Sequence, residues 1–266
     1  MSRGERRRKL TRILRTYSHS RIYHIILKGI DNQDIFYDDQ DRRVFLNNIL
    51  KTKKEFNYNV YAYCLMDNHV HMIIKSEKEF LSKSMQSLMI RYVQYFNKKY
   101  KRTGTLVQNR FKSKNIENQR YFLEVCRYIH RNPENAKMAK TQEYEWSSYK
   151  EYLGKEKIID KSVLLHYLDN DINKFIQYTA ENNENKDLNE LAEYEIMGKL
   201  TDAQVSNIIA KIFDIKDVIE IPYFFKNINK VDLKEYVEKL KMIKGTNKTQ
   251  IARIIRISRS VIEKRW

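Results

Sequence analysis

The tripeptide His69-Val70-His71 carries the clearest chemical signal in the chain. It follows the turn signal Asp67-Asn68, between two runs of strand character, Asn59 to Met66 and His69 to Ser76. Alternate side chains of a strand share a face, so the two imidazoles stand about 6–7 Å apart along it. Neutral imidazoles at that spacing can share one divalent ion. Two ligands make a poor site, so a third protein donor and water or phosphate oxygens are needed. Without other context, His-x-His is more often a pair of exposed sheet histidines.

A second feature is Tyr121 to Pro133, YFLEVCRYIHRNP. Phe122, Val125, Cys126 and Ile129 recur at helical spacing and form an apolar stripe. At about 100° per residue, Tyr121, Tyr128 and Asn132 fall together on its border. A border tyrosine is held by packing and can still present its hydroxyl to a cleft. Asn132 sits one turn beyond Tyr128 on the same side, where its carbonyl could be a third metal donor. With 19 tyrosines in the chain, the helix alone favours an edge packing residue. Beside a metal, a hydroxyl nucleophile can attack a phosphodiester and form a phosphotyrosine link. No Ser/His/Asp or Cys/His constellation, phosphate-binding glycine loop or dinucleotide fingerprint competes, and there are only six glycines.

The elements that must position these groups read in order. Tyr23 to Gly29 is a strand, Asp38 to Phe56 a helix, and Asn59 to Ser76 a hairpin. Phe80 to Arg102 is a long helix stopped near Gly104, Phe111 to Ile116 a strand, and Gln119 to about Arg131 a helix capped by Asn118. Pro133 biases Asn132 away from helical geometry and marks that helix's end. Strand–helix–strand–strand–helix–strand plus one more helix is α+β and ferredoxin-like, the split βαβ plan. Its antiparallel sheet is covered by helices on one face, leaving the other for a site. An all-α C-terminal domain follows. The expected divisions are a basic arm at 1–22, the sheet domain at 23–154, a helical connector and polar linker at 155–190, and a helical domain at 191–266.

Charge is unevenly placed. The 266 residues hold 51 Lys and Arg against 34 Asp and Glu, a net +17. Residues 1–22 carry +7, 91–114 carry +8 and 239–266 carry +8, so the rest nets −6. Three basic segments on a mildly acidic body suggest a polyanionic partner, nucleic acid above all. Tyr92, Tyr95, Phe96 and Tyr100 in the second segment suit a strand-binding surface, but each also lies on a helix stripe and reads first as core. Two cysteines, Cys64 and Cys126, cannot build a disulfide framework and fit a reducing compartment. No apolar run approaches the ~18 residues that span a bilayer. A cytoplasmic protein is expected.

At this point the sequence resembles the single-tyrosine HUH transposases, in particular the REP-associated tyrosine transposases. The resemblance rests on YHIILKG, DDQDRRVFL, YAYCLMDNHVHMIIK, FNKKYKRTGTLVQNRFKS, YFLEVCRYIHRNP and YEWSSYKEYLG, in that order over about residues 20–154. It implies a metal-dependent enzyme that nicks single-stranded DNA, usually near a hairpin, and transfers the strand. The link formed would be a 5′-phosphotyrosine, with a free 3′-OH. By motif position His69 and His71 would be metal ligands for Mg²⁺ or Mn²⁺, Tyr128 the nucleophile and Asn132 a further ligand. Arg110, Lys112 and Lys114, with Arg91, are candidate DNA contacts. Asp67 departs from the family's usual proline, and Glu134 stands where phosphate would be repelled. The family includes dimers and monomers, so a homodimer is open to this chain. The rival reading is a non-catalytic DNA-binding regulator derived from a transposase.

At the C-terminus, Asn247 and Ser258 sit where two short helices would be capped, with Ile257-Ser258 as the turn between them. This spacing resembles the helix–turn–helix end of replication-initiator domains. It implies duplex DNA contact through Arg259, Ser260, Lys264 and Arg265. Removal of 239–266 is expected to spare chemistry at Tyr128.

Overall fold

The computed structural model describes residues 17–108, 111–181, 200, 202–243 and 246–264. The basic arm 1–16, Arg110, Arg265 and nearly all of the polar linker lie outside them. Four strands, β1 (Ile22–Lys28), β2 (Asn59–Leu65), β3 (His69–Lys75) and β4 (Lys112–Asn115), form one sheet in the order β2-β3-β1-β4. All neighbours are antiparallel, which is the split βαβ plan.

Helix α1 (Asp39–Phe56) connects β1 to β2, and α2 (Lys78–Lys99) connects β3 to β4. α1 starts at Asp38, whose carboxylate accepts from the Asp41 amide while Asp41 answers the Asp38 amide. Such a reciprocal cap stabilises a helix start by about 1 kcal/mol. The two helices pack side by side through Phe45, Ile49, Tyr92 and Phe96. Helix α3 (Gln119–Asn135) packs against β2 and β3. Its contacts are with the histidine face, so that face is roofed by one helix rather than left bare. α3 also runs through Pro133 to Asn135, beyond the end that proline led one to expect. Asn132 and Pro133 are both buried, and packing outweighs the local bias before proline.

The free edge of β2 is covered by the segment after α3. Leu65 donates to the Trp146 carbonyl at 2.9 Å, Ser148 to Tyr63 at 2.9 Å and Asp160 to Val60 at 2.7 Å. The Tyr144 and Tyr152 hydroxyls donate to the Leu65 and Tyr61 carbonyls, both at 2.6 Å. Short helices α4 (Tyr149–Leu153), α5 (Ser162–His166) and α6 (Ile172–Ala180) complete this flank.

A separate apolar cluster forms farther along, from α7 (Asp202–Ile212), α8 (Ile221–Lys226), α9 (Lys230–Lys241), α10 (Lys248–Ile254) and α11 (Arg259–Glu263). α8, with Pro222 in its first turn, is a helix the sequence reading passed over. Val205, Ile209, Ile251, Ile255 and Ile262 are fully buried together. Leu240, Ile243, Ile251, Ala252, Ile255 and Ile262, all within the C-terminal basic segment, belong to this cluster, which is separate from the core that holds Tyr128. Arg253 grips Asp202 through two bonds of 2.8 and 2.7 Å, and the Ala203 amide donates to Asp34 at 3.2 Å. Burial, with Asp202 and Asp67 close by, pushes the Asp34 carboxyl up to about 8.

Candidate active site

Register places the site. His71 on β3 lies between Ile26 of β1 and Cys64 of β2, and His69 opposite Lys28. His24 lies opposite Ile73 and, across β1, opposite Lys114, while Ile26 faces Lys112. Directly opposed residues share a face, so His24, Lys28, His69, His71, Lys112 and Lys114 stand on the same side of the sheet. His69 and His71 share that face as the tripeptide predicted, with ring centroids 5.1 Å apart.

Tyr128 descends from α3 onto this face. Its ring meets His71 edge-on at 5.6 Å and His24 at 6.4 Å. Tyr128 is 9% exposed, as is His69, while His24 and His71 are fully buried. Asn132 is buried one turn farther along α3. Many other tyrosines are architectural: burial raises the Tyr58 and Tyr61 hydroxyls to about 12, and Tyr92 donates to the Ile35 carbonyl. Among the described tyrosines, Tyr128 is the one whose ring lies against His24 and His71.

Hydrogen bonds orient both imidazoles. His69 Nδ1 lies 2.7 Å from Asn68 Oδ1, and His71 Nδ1 lies 2.8 Å from His24 Nε2. Bonding at Nδ1 leaves Nε2 as the nitrogen of each ring suited to a metal. With bonds of about 2.1 Å, two imidazoles on one ion have centroids about 5 Å apart, close to the separation here. Among the described residues no group of three or more His, Cys, Asp or Glu could hold a metal. Buried Asn132 carries an amide oxygen of the kind that can ligate a metal; imidazole nitrogens suit transition ions, and amide and water oxygens suit Mn²⁺ or Mg²⁺.

The turn that presents His69 is braced from β1. The Gly29 amide donates to the Asn68 carbonyl at 2.8 Å, and the Ile35 amide to the Asp67 carbonyl at 2.7 Å. A Cβ on Gly29 would meet the Gln33 carbonyl oxygen at 2.0 Å, so this crossing requires glycine. Asp67, where the resemblance expects proline, ion-pairs with Arg42 and so fixes the turn by charge instead.

The far side of α3 is fixed by His130. Its Nε2 lies 2.9 Å from Ser148 Oγ, and its ring is enclosed by Tyr149, Tyr152 and Phe175. Complete burial lowers its pKa from 6.5 to about 3. The unfolded chain then binds a proton below about pH 6.5 that the folded state refuses. Stability from this group is present above that pH and lost as pH falls toward 3, by about 2 kcal/mol at pH 5. Urea midpoints at pH 7 and pH 5 check this: His130→Gln is expected to show a smaller drop between them than the native chain.

The expected DNA contacts divide. Lys112 is exposed on the histidine face. Lys114 lies 5.3 Å over the Tyr121 ring, beside His24. Arg91 is paired with Glu55 at 2.7 Å on the opposite helical layer, and Arg259 with Glu263 at 2.9 Å. Ser260 lies 3.2 Å from Ser258 through their hydroxyls, and Lys264 is exposed. Arg110 and Arg265 lie outside the described residues. Tyr92 and Phe96 are core, and the Tyr95 and Tyr100 hydroxyls bind Asp41, so this tyrosine run is not a stacking surface. Glu134 accepts from Thr141 at 2.7 Å. Sequence reading missed His24 and Lys28. A histidine inside the apolar run Tyr23 to Leu27 was the available signal, but its partner becomes visible only once β1 is placed beside β3.

Among the described residues no helix is long and apolar enough to cross a membrane. No curated protein matches the chain. A solved REP-associated tyrosine transposase, bound to a REP hairpin, aligns at 13% identity and TM-score 0.48, over 58% of this chain and 96% of that one. The model of the family described as IS200-like transposases matches residues 17–132, the span that holds His24, His69, His71, Tyr128 and Asn132. Over these residues, which make up less than half of the chain, the sequence is similar to the IS200-like transposases.

Proposed function

We propose that the protein nicks single-stranded DNA beside a hairpin and transfers the cut strand, with Tyr128 as nucleophile and a divalent metal at His69 and His71. The observation that carries this reading is the Tyr128 ring set edge-on against His71, on a face rimmed by Lys28, Lys112 and Lys114. In the transesterification, the Tyr128 oxygen bonds to phosphorus as the bond to the 3′-oxygen breaks. The tyrosine loses its proton and the departing 3′-oxygen gains one. One strand end becomes a 5′-phosphotyrosine and the other a free 3′-OH, so the phosphoester bond is exchanged and remains available for rejoining. Bound Mg²⁺ or Mn²⁺ would polarise the phosphoryl oxygens and offset their developing charge. Packing of α3 on the sheet holds the tyrosine ring in place, which favours one line of attack. Lys112 and Lys114 would neutralise backbone phosphate beside the scissile bond.

The test is a denaturing gel of end-labelled hairpin DNA incubated with protein and Mn²⁺. A slow protein–DNA band that chelator abolishes supports the proposal. Binding with no cleavage under Mg²⁺ or Mn²⁺ would instead indicate a DNA-binding regulator.

The α10–α11 pair, with Arg259 and Ser260 on α11 and Lys264 just after it, is proposed as the duplex contact. Arg259→Ala with Lys264→Ala is expected to flatten the salt dependence of duplex binding by a slope of roughly 2, at about 0.9 per phosphate contact. Cleavage of a short single strand should stay unchanged. Fluorescence anisotropy across a salt series measures the first, and the gel the second.

A further inference from the structure

We propose that His24 is a positioning residue for the metal centre, acting through His71; the inference rests on the reading of His71 as a ligand. His24 is fully buried in the middle of β1, and its Nε2 lies 2.8 Å from His71 Nδ1. Two imidazoles at that distance share one proton between the facing nitrogens, and there are two ways to place it. If His24 donates, neutral His71 carries its own proton on Nε2 and has no lone pair there. If His71 donates from Nδ1, its Nε2 lone pair is directed away from His24 and can ligate. Only the second arrangement is compatible with a metal on His71 Nε2.

His24 thus fills the place that a carboxylate or backbone carbonyl usually takes behind a metal-bound histidine. A neutral acceptor suits this fully buried position, because a carboxylate here would carry a desolvation penalty. The same contact sets the plane of the His71 ring, and that plane sets its edge-on meeting with Tyr128. His69 is oriented differently, by Asn68 in its own turn. The two proposed ligands are thus fixed from two elements, one from β1 and one from the β2–β3 turn.

The test uses the full chain and has two readouts other than activity. Long-range ¹H–¹⁵N spectra of the metal-free protein report which nitrogen of His71 bears the proton. Binding of Mn²⁺ alone is followed by the loss of its free-ion electron paramagnetic resonance signal. The proposal expects the Nδ1–H form of His71 in the native protein. His24→Phe, which offers no acceptor, should weaken Mn²⁺ binding 10- to 100-fold, and His24→Gln, whose amide oxygen can accept, should restore most of it. An Nε2–H form of His71, or unchanged Mn²⁺ affinity in His24→Phe, would overturn it. Should His24→Phe not fold, the native spectrum and the His24→Gln affinity still decide. If His71→Ala leaves Mn²⁺ binding intact, the ligand assignment itself is at fault, an outcome distinct from a His24 failure.

Discussion

Tyr128→Phe should bind hairpin DNA within about twofold of the native protein and form no covalent adduct. The substitution removes one hydroxyl and keeps the ring that packs edge-on against His71 and His24. At 9% exposure, the side chain contributes to the core mainly through that ring, so the melting temperature should shift by only a few degrees. Chemistry is where the effect concentrates. A nucleophile has no substitute in a phenyl ring, and loss of such a group costs roughly 10⁴- to 10⁶-fold in rate, which puts strand cleavage at the limit of a gel assay. A water-using phosphohydrolase on the same fold would give the opposite pattern, with cleavage retained and no adduct in either protein. Binding by anisotropy and cleavage by gel, on one preparation, separate the two.

The second large effect is expected at His71. His71→Ala removes a proposed ligand, its contact with His24 and the ring against which Tyr128 is set. Cleavage should fall by about 10³-fold or more, since both charge stabilisation and placement of the nucleophile are affected. His69→Ala should lose metal affinity with less disturbance of Tyr128, because His69 sits at the end of β3 beside the turn and is oriented by Asn68. Raising Mn²⁺ should therefore recover part of the activity of His69→Ala and little of that of His71→Ala. Rates measured across a Mn²⁺ titration of both variants check the asymmetry. Equal rescue would show that His71 serves only as a ligand.

Much of this was legible in the residues. Period-two alternation through His69-Val70-His71 fixed the shared face, and period-3.6 spacing put Tyr128 and Asn132 on one side of α3. Each is a local property, and local properties survive into the fold. What escaped depended on pairing between distant segments. His24 acquires its meaning only when β1 lies beside β3, 47 residues away. Likewise Gly29 read as a strand end, when its lack of a side chain is required by the Gln33 carbonyl crossing close to it. Pro133 misled for the converse reason: a true local bias gave way to the packing of Asn132 and Pro133. The basic segments were legible as charge but not as surface. Lys112 lies on the histidine face, whereas Lys99 is committed to Asp38 and Asp41.

The central claim is that one tyrosine takes the phosphate. The direct measurement is peptide mapping by mass spectrometry after reaction of the full chain, with Mn²⁺, on a pool of hairpin oligonucleotides with randomised single-stranded flanks. The account predicts a single adducted peptide, containing Tyr128, linked to the 5′-phosphate of the downstream strand, with an upstream fragment ending in a free 3′-OH. An adduct at another residue, a link through a 3′-phosphate, or cleaved strands with no adduct would contradict it.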